Sequence, residues 1–285
     1  MLLVVCLSLR PHPPSMRRFL YITLFFFVGA ISHGQQGIEF THPIEPGLII
    51  TEKTIFYTLA GNIVPIKIQQ YGERTDNVFI NLHDDEITSV DAAKRVLEEY
   101  GGLLIEVENN AQRNIRFKLD RFFYQVDPNR IFSEEGIKKS LEQLGITSGK
   151  AVDEVEKLGQ RIIQLIPEEA KCIIALHNNT PDLFSVAEYA SGNKRSVDCK
   201  KVYISPEQDT DDFFLTTDNN IYEKLADKGF NTILQDNKNC TEDGSLSVYC
   251  GKKSIRYVNC ETEHGKAEQY YEMIKALVAA IPNNK

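Results

Sequence analysis

The chain has 285 residues, 42% of them hydrophobic and 25% charged, a composition that excludes a disordered polymer and allows one large α/β domain or two small ones. It carries 32 basic and 40 acidic residues, a formal charge of −8, which makes nucleic acid a poor partner.

Residues 1–34 read differently from the rest. Met16-Arg17-Arg18, the apolar run over 19–31 and the small residues that follow form a secretory signal pattern, with cleavage expected after Gly34 and Ser32 at the minus-three position. The residues before Met16, with Cys6 and the proline-rich stretch Pro11 to Pro14, read as an upstream extension and are set aside. The apolar run is short for a membrane span and no second one follows, so no stable span is expected after cleavage, the alternative being an uncleaved anchor. The expectation is an exported protein, periplasmic or secreted, whose residues 35–285 form a single domain. Cleavage removes Arg10, Arg17 and Arg18 and no acid, which leaves 29 basic and 40 acidic residues and a charge of −11. Five cysteines remain (Cys172, Cys199, Cys240, Cys250 and Cys260), none in C-x-x-C spacing. A cysteine-based zinc site therefore has no support, while a Cys240–Cys250 disulfide is allowed by an oxidising compartment. Of the histidines, only His42, His83, His177 and His264 survive processing.

In chain order, residues 47–71 place β-branched and aromatic residues around Ala60-Gly61-Asn62, which predicts a hairpin. Short apolar runs at 78–82, 103–107, 172–176, 202–204, 232–234 and 255–258 predict buried strands. Helical patterns alternate with them. Thr88 and Asp91 have capping-box-like spacing before a helix over 92–100, Ser133 opens a helix over 134–144, and residues 152–166 are amphipathic. Further helices are predicted over 221–228 and 266–281. Strands interleaved with helices argue for a layered α/β fold around a mixed sheet.

Candidate chemistry gathers where strands end. Asn81-Leu82-His83-Asp84-Asp85-Glu86 follows the first apolar strand, and its His83 and Glu86, three residues apart on a tight loop, can offer zinc one nitrogen and one oxygen. Loops at the carboxyl ends of strands bind ligands in open α/β sheets because they are exposed yet held by a rigid frame. Cys172-Ile173-Ile174-Ala175-Leu176-His177 repeats the pattern of an apolar strand ending in histidine, so His177 is the third candidate ligand. A catalytic zinc site wants three protein ligands and an open position for water. The strand from Ile255 runs to Glu261, which is read as the general base, with Glu263 as its competitor.

These residues resemble the zinc carboxypeptidases and the related succinylglutamate desuccinylase and aspartoacylase-type amidases. Four ordered pieces carry the likeness: His83-x-x-Glu86, Asp127-Pro128-Asn129-Arg130-Ile131-Phe132, Ala175-Leu176-His177, and the stretch from Gly244-Ser245-Leu246 through Tyr257 to Glu261. The resemblance implies a three-layer α/β/α fold with a mixed central sheet and one zinc ion on His83, Glu86 and His177. It implies Arg130, with Asn129 beside it, gripping the free carboxylate of a peptide or N-acyl amino acid, since a guanidinium fork matches a carboxylate. It also implies Arg113 as the oxyanion-stabilising arginine, with Arg116 as rival, and Leu246 near the specificity pocket. The spacing from glycine to acid favours Glu261 over Glu263.

The sequence departs from that pattern in a shortened interval between Glu86 and His177, in the missing second asparagine of the Asn-Arg segment, and in the lack of a tyrosine at the mobile position, for which Tyr222 or Tyr249 are the substitutes. The expected function is hydrolysis of an amide near a free carboxylate, in a carboxypeptidase or in the shorter amidase and deacylase branches. A catalytically silent binding protein is the alternative, and paired acids Asp84 and Asp85 serving an esterase or glycosidase form a third reading.

Overall fold

The computed structural model describes residues 35–45 and 48–282, with side chains from Thr51 onward; the signal pattern of residues 1–34 lies outside them. The predicted hairpin is present and is joined by a preceding strand. β1 (Gln35–Glu45), β2 (Leu48–Leu59) and β3 (Asn62–Tyr71) form an antiparallel ribbon, turning at Ala60-Gly61 where both residues have positive φ. Next come β4 (Asn77–Asn81), α1 (Ile87–Tyr100) and β5 (Gly102–Val107), a parallel β-α-β unit. β6 (Ile115–Leu119) and β7 (Phe122–Val126) pair as a separate hairpin, and a short 3₁₀ turn at Pro128–Arg130 leads into α2 (Glu134–Leu144) and α3 (Gly149–Ile163). The second half holds β8 (Cys172–Asn179), β9 (Cys199–Tyr203), β10 (Phe213–Thr216), α4 (Asn219–Asp227), β11 (Thr232–Gln235), α5 (Leu246–Lys252), β12 (Tyr257–Glu263) and α6 (Ala267–Ala280).

Apart from the β6–β7 hairpin, the strands among the described residues form one mixed sheet in the order β1-β2-β3-β5-β4-β8-β12-β10-β11-β9. Its centre is parallel, with β4 flanked by β5 and β8, and β8 flanked by β12. These central strands are covered on both faces, which is why they read as unbroken apolar runs. One face packs Val96 and Leu97 of α1, Ile221 and Leu225 of α4, and Ile274 and Leu277 of α6 against Phe79, Leu104, Ile174 and Val258. The other packs α2, α3 and α5, through Leu141, Val155, Leu158 and Leu246, against Val78, Ile80, Ile173 and Tyr257. The architecture is thus the expected three-layer α/β/α sandwich. No helix among the described residues is long and apolar enough to cross a membrane.

Several sequence expectations shift. Ser133 caps α2 as predicted, its hydroxyl accepting from the Gly136 N–H, but the Thr88/Asp91 capping box does not form. α1 starts earlier, at Ile87, and the Ser89 N–H of its first turn is received by the Asn178 side chain at 3.0 Å, a cap supplied from β8 that no local pattern could reveal. Thr88 instead accepts from the Gly265 N–H. β10 and the β6–β7 hairpin have no counterpart among the predicted strands, and α5 was not predicted. Cys240 and Cys250 are both free thiols, so the disulfide that the compartment would allow is not formed.

One close backbone contact fixes the loop before α5 against the Pro128–Arg130 turn. Gly244 has φ +75°, and a Cβ there would lie 2.5 Å from the Arg130 carbonyl oxygen and 2.6 Å from the Gly136 Cα. Gly61, at φ +94°, has nothing within 4 Å of such an atom. Gly61→Ala is expected to cost about 1 kcal/mol from backbone strain alone, and Gly244→Ala about 2 kcal/mol or more because steric overlap adds to that strain. Urea unfolding of both variants checks the difference; equal losses would contradict it.

Candidate metal centre

Strand order reverses between β4 and β8. β4 leads through α1 to β5 on one side, whereas the next strand added on its other side is β8. At such a switch point the connecting chains leave in opposite directions and open a crevice at the strands' carboxyl ends. His83 and Glu86 follow β4 into that crevice, and His177 reaches it from β8. A turn closed by the Glu86 N–H donating to the His83 carbonyl (3.1 Å) brings the first two side chains to one point. His177 is not at the strand's end, as its sequence suggested, because β8 continues to Asn179.

The three side chains are almost completely buried, at 1% exposure for His83 and Glu86 and 4% for His177. His83 Nδ1 lies 3.3 Å from His177 Nδ1 and 3.2 Å from Glu86 Oε1, and His177 Nδ1 lies 2.9 Å from Glu86 Oε2. Zinc holds nitrogen and oxygen donors at about 2.0–2.2 Å, so neighbouring donors of a tetrahedral ion stand about 3.3 Å apart. This chain's own donor spacing fits such an ion, and its donor set of two imidazoles and a carboxylate suits zinc chemically.

Asp127, which the sequence reading quoted only as part of a motif, proves to be the side chain that orients His83. Its Oδ1 accepts from His83 Nε2 at 2.8 Å and from the Asn129 N–H at 2.8 Å, while its own N–H donates to the Ser140 hydroxyl. With the Nε2 proton held by Asp127, Nδ1 is the nitrogen left to bind a metal. Burial alone would lower the His83 pKa, but the Glu86 and Asp127 carboxylates outweigh it and raise it to about 9. For Glu86, burial pushes upward, and His177 and His83 overcome it and hold the carboxyl well below the usual range.

Arg113 donates from Nη1 to Glu86 Oε1 at 2.5 Å, and about half of its side chain stays exposed towards the cavity. Its loop is shaped by Asp84, whose Oδ2 accepts from the Asn109 and Ala111 N–H groups at 2.6 and 2.7 Å, and Asn110 and Ala111 both adopt positive φ. The rival Arg116 lies on β6 and stacks over Phe123. Asp84 is thus engaged by the backbone of that turn, while Asp85 lines the cavity.

Glu261 lies on β12 directly beside His177, its partner in the parallel register. It is 6% exposed, and its Oε1 accepts from Asn259 Nδ2 at 3.0 Å. Burial raises its pKa, with His177 pulling the other way and Glu86 adding to the rise. Glu263, its competitor, instead pairs with the Lys266 ammonium at 2.9 Å. A further residue absent from the sequence reading, Tyr270 of α6, links the two strands here. Its hydroxyl accepts from the His177 N–H at 3.0 Å and donates to the Cys260 carbonyl at 2.6 Å.

Glu86, His177, Arg113 and Glu261 line a cavity of about 420 Å³. Arg130 opens onto it while donating to the Asn129 carbonyl (2.8 Å) and lying 3.5 Å from Asp243. The Asn129 amide is engaged at both ends, accepting from the Leu246 N–H at 3.1 Å and facing His177 Nε2 at 3.4 Å, so it braces the site more than it grips a ligand. Leu246, expected near the specificity pocket, is 0% exposed in the core, and its neighbours Ser245 and Ser247 line the cavity in its place. Tyr222 and Tyr249 do not reach the cavity; Tyr189 and Tyr257 do.

No protein-family model and no curated protein matches the chain. Solved structures similar to it include an aspartoacylase family protein from Mesorhizobium loti, 12% identical with a TM-score of 0.43, over 89% of this chain and 73% of that one. Another is murein-tripeptide amidase MpaA from Escherichia coli O157, also 12% identical with a TM-score of 0.43, over 86% of this chain and 98% of that one.

Two outcomes are expected. Asp127→Ala should weaken zinc affinity about 10- to 100-fold while leaving the stoichiometry at one, measured by competition with a chromophoric chelator. Below about pH 9 the metal-free protein holds the extra proton on His83, which a metal at Nδ1 must displace. Zinc binding at pH 7.5 should therefore release about one proton from His83, and affinity should rise with pH up to about 9. Calorimetry in buffers of different ionisation enthalpy reads this directly, and a heat independent of buffer would contradict it.

Proposed function

We propose that this chain is an exported zinc-dependent hydrolase that cleaves an amide or peptide bond next to a free carboxylate, its substrate a peptide or an N-acyl amino acid. The observation that carries the reading is the meeting of His83, Glu86 and His177 at donor spacings suited to one zinc ion, with the buried carboxylate of Glu261 on the adjacent strand. The ordered likeness to zinc carboxypeptidases and their amidase relatives supports it, and the signal pattern before Gly34 supports export.

Bound by these three residues, zinc would supply a Lewis acid for the carbonyl oxygen and acidify a water molecule. Glu261, made more basic than an ordinary carboxylate by its burial, takes a proton from the attacking water and returns it to the leaving nitrogen. Arg113, whose guanidinium is anchored on Glu86 at one nitrogen, presents its remaining donors to the oxyanion. Arg130 receives the substrate's free carboxylate, exchanging its contact with Asp243 for a better-matched anion. Asn129, bridging the start of α5 and His177, keeps that arginine in register with the ligands.

The tight contact between Arg113 and Glu86 favours one other reading, a carboxypeptidase-like binding protein without turnover. Zinc quantification with a hydrolysis screen over short peptides and N-acyl amino acids separates the two. One zinc per chain with chelator-sensitive hydrolysis is the expected outcome, and zinc without hydrolysis across the panel favours the binder. Glu261→Gln should leave zinc content unchanged and lower kcat about 100- to 10,000-fold. Full activity in that variant would remove Glu261 from its role.

A further inference from the structure

The outer face of the β6–β7 hairpin is aromatic and cationic at once, and the hydrolytic scheme leaves it unused. The hairpin turns tightly at Asp120-Arg121, between the paired residues Leu119 and Phe122. Its inner face is core: Ile115, Phe117, Tyr124 and Val126 are buried, and the Phe117 and Tyr124 rings stack at 5.4 Å. Strand alternation then turns Arg116, Lys118 and Phe123 outward. Phe123 is 58% exposed and Phe122, at the turn, 47%. The β2–β3 turn adds Ile63 at 65%, held beside the hairpin by its neighbour Asn62, whose Nδ2 donates to the Arg116 carbonyl at 2.9 Å and whose Oδ1 accepts from the Lys118 N–H at 3.3 Å. The surface is thus fixed from behind by packing and from the side by backbone hydrogen bonds. Large apolar side chains gathered on adjoining turns mark an interaction surface, where single scattered ones would not.

The surrounding charge says what kind of partner fits. Arg116 and Lys118 lie over the Phe123 ring at 5.1 and 5.7 Å, and Arg121 lies over the Phe122 ring at 5.3 Å. The acid of this stretch, Asp120, is matched by Lys150 at 3.3 Å. These cations gather on a chain whose formal charge is −8, so the local sign opposes the average. Rings beside basic groups match the boundary of an anionic bilayer, where apolar groups enter below the headgroups and each Lys or Arg near the surface strengthens binding about 5-fold. The course of the chain is an independent argument. Gln35 pairs with Tyr57, so β1 enters the sheet at the end of the ribbon that carries the Ala60-Gly61 turn and Ile63. The apolar run over 19–31, shortly before it, is of the kind that directs a chain to a membrane.

We propose that the β6–β7 hairpin, with Ile63, docks on an anionic lipid bilayer, Phe122 and Phe123 entering the headgroup boundary and Arg116, Lys118 and Arg121 meeting lipid phosphates. The hairpin joins the loop of Arg113 to the turn of Asn129 and Arg130, all three of which line the metal-centre cavity, so docking holds that cavity within a strand's length of the surface. The chain has no tryptophan, so Phe123→Trp in the full-length protein sets one reporter on the hairpin, and Val197→Trp sets one at an exposed position before β9. With vesicles of phosphatidylglycerol the Phe123→Trp emission should move to the blue and be quenched by brominated acyl chains, and with phosphatidylcholine alone it should do neither. Val197→Trp should not respond, which separates insertion of the hairpin from capture of the chain by its apolar N-terminal run. Replacing Arg116, Lys118 and Arg121 together by Gln in the Phe123→Trp protein should weaken the partitioning read by the reporter about 100-fold, and high salt should weaken it in the parent reporter. All three side chains are exposed, and an unchanged urea midpoint verifies that the fold is kept. No shift, a shift shared by Val197→Trp, or one that survives the Gln replacements overturns the proposal. So does a shift obtained without lipid, whether on raising the protein concentration, which assigns the face to a second copy of the chain, or with inorganic polyphosphate, which assigns the cations to a soluble polyanion.

Discussion

The buried carboxylate of Glu86 is the constraint around which the rest of the site is arranged. An anion at 1% exposure is tolerated only when compensated, and removing a partner from such a charge costs about 3–5 kcal/mol. Glu86 has His83 and His177 on its two oxygens and Arg113 above, and it immediately precedes α1, whose N-terminal dipole favours negative charge. Each of those partners arrives from a different stretch of chain. Satisfying one carboxylate therefore pins together the loop after β4, the middle of β8 and the Asn109–Arg113 turn.

The sheet supplies the second half of the arrangement. The parallel register of β8 and β12 sets Glu261 beside His177, and the Tyr270 hydroxyl ties the same rung from the α6 side. Because successive strand residues face alternate sides, a slip of one residue would turn Glu261 into the core formed with α6 and bring Cys260 to the cavity. The apolar contacts of Val258 and Cys260 with α6 on one face, and of Tyr257 with the other core, oppose that slip. Core packing and site geometry are in this sense the same specification.

What could be read from sequence follows from which interactions are local. The central strands were legible because burial on both faces leaves continuous apolar runs, and the grouping of His83, Glu86 and His177 was legible because both histidines follow such runs, although β8 and β12 continue past His177 and Glu261. β10, only four residues long, carries too little pattern. The capping of α1 by Asn178, the bracing of His83 by Asp127 and the strand link by Tyr270 join residues 89, 44 and 93 positions apart, and no local spacing encodes them. Leu246 was misplaced for a related reason. At the start of α5 the backbone N–H reaches Asn129 while the side chain faces the core, so proximity in sequence to the cavity did not mean access to it.

The two buried carboxylates of the site have opposite electrostatic fates, and this divides their chemistry. Burial raises the pKa of both, but Glu86 has the imidazoles of His177 and His83 in contact, which reverse the shift. Glu261 has burial, the nearby charge of Glu86 and only an amide hydrogen bond from Asn259, so its shift stays upward despite His177. A carboxylate held firmly ionised suits a permanent ligand, whereas one whose proton affinity is raised suits a group that must accept a proton and give it back. The same residue type on two adjacent walls of one crevice is thus given two opposite proton affinities by what surrounds it. Burial and the charge of Glu86 keep the Glu261 shift upward against His177 and Asn259, while His177 and His83 turn the Glu86 shift downward against its burial.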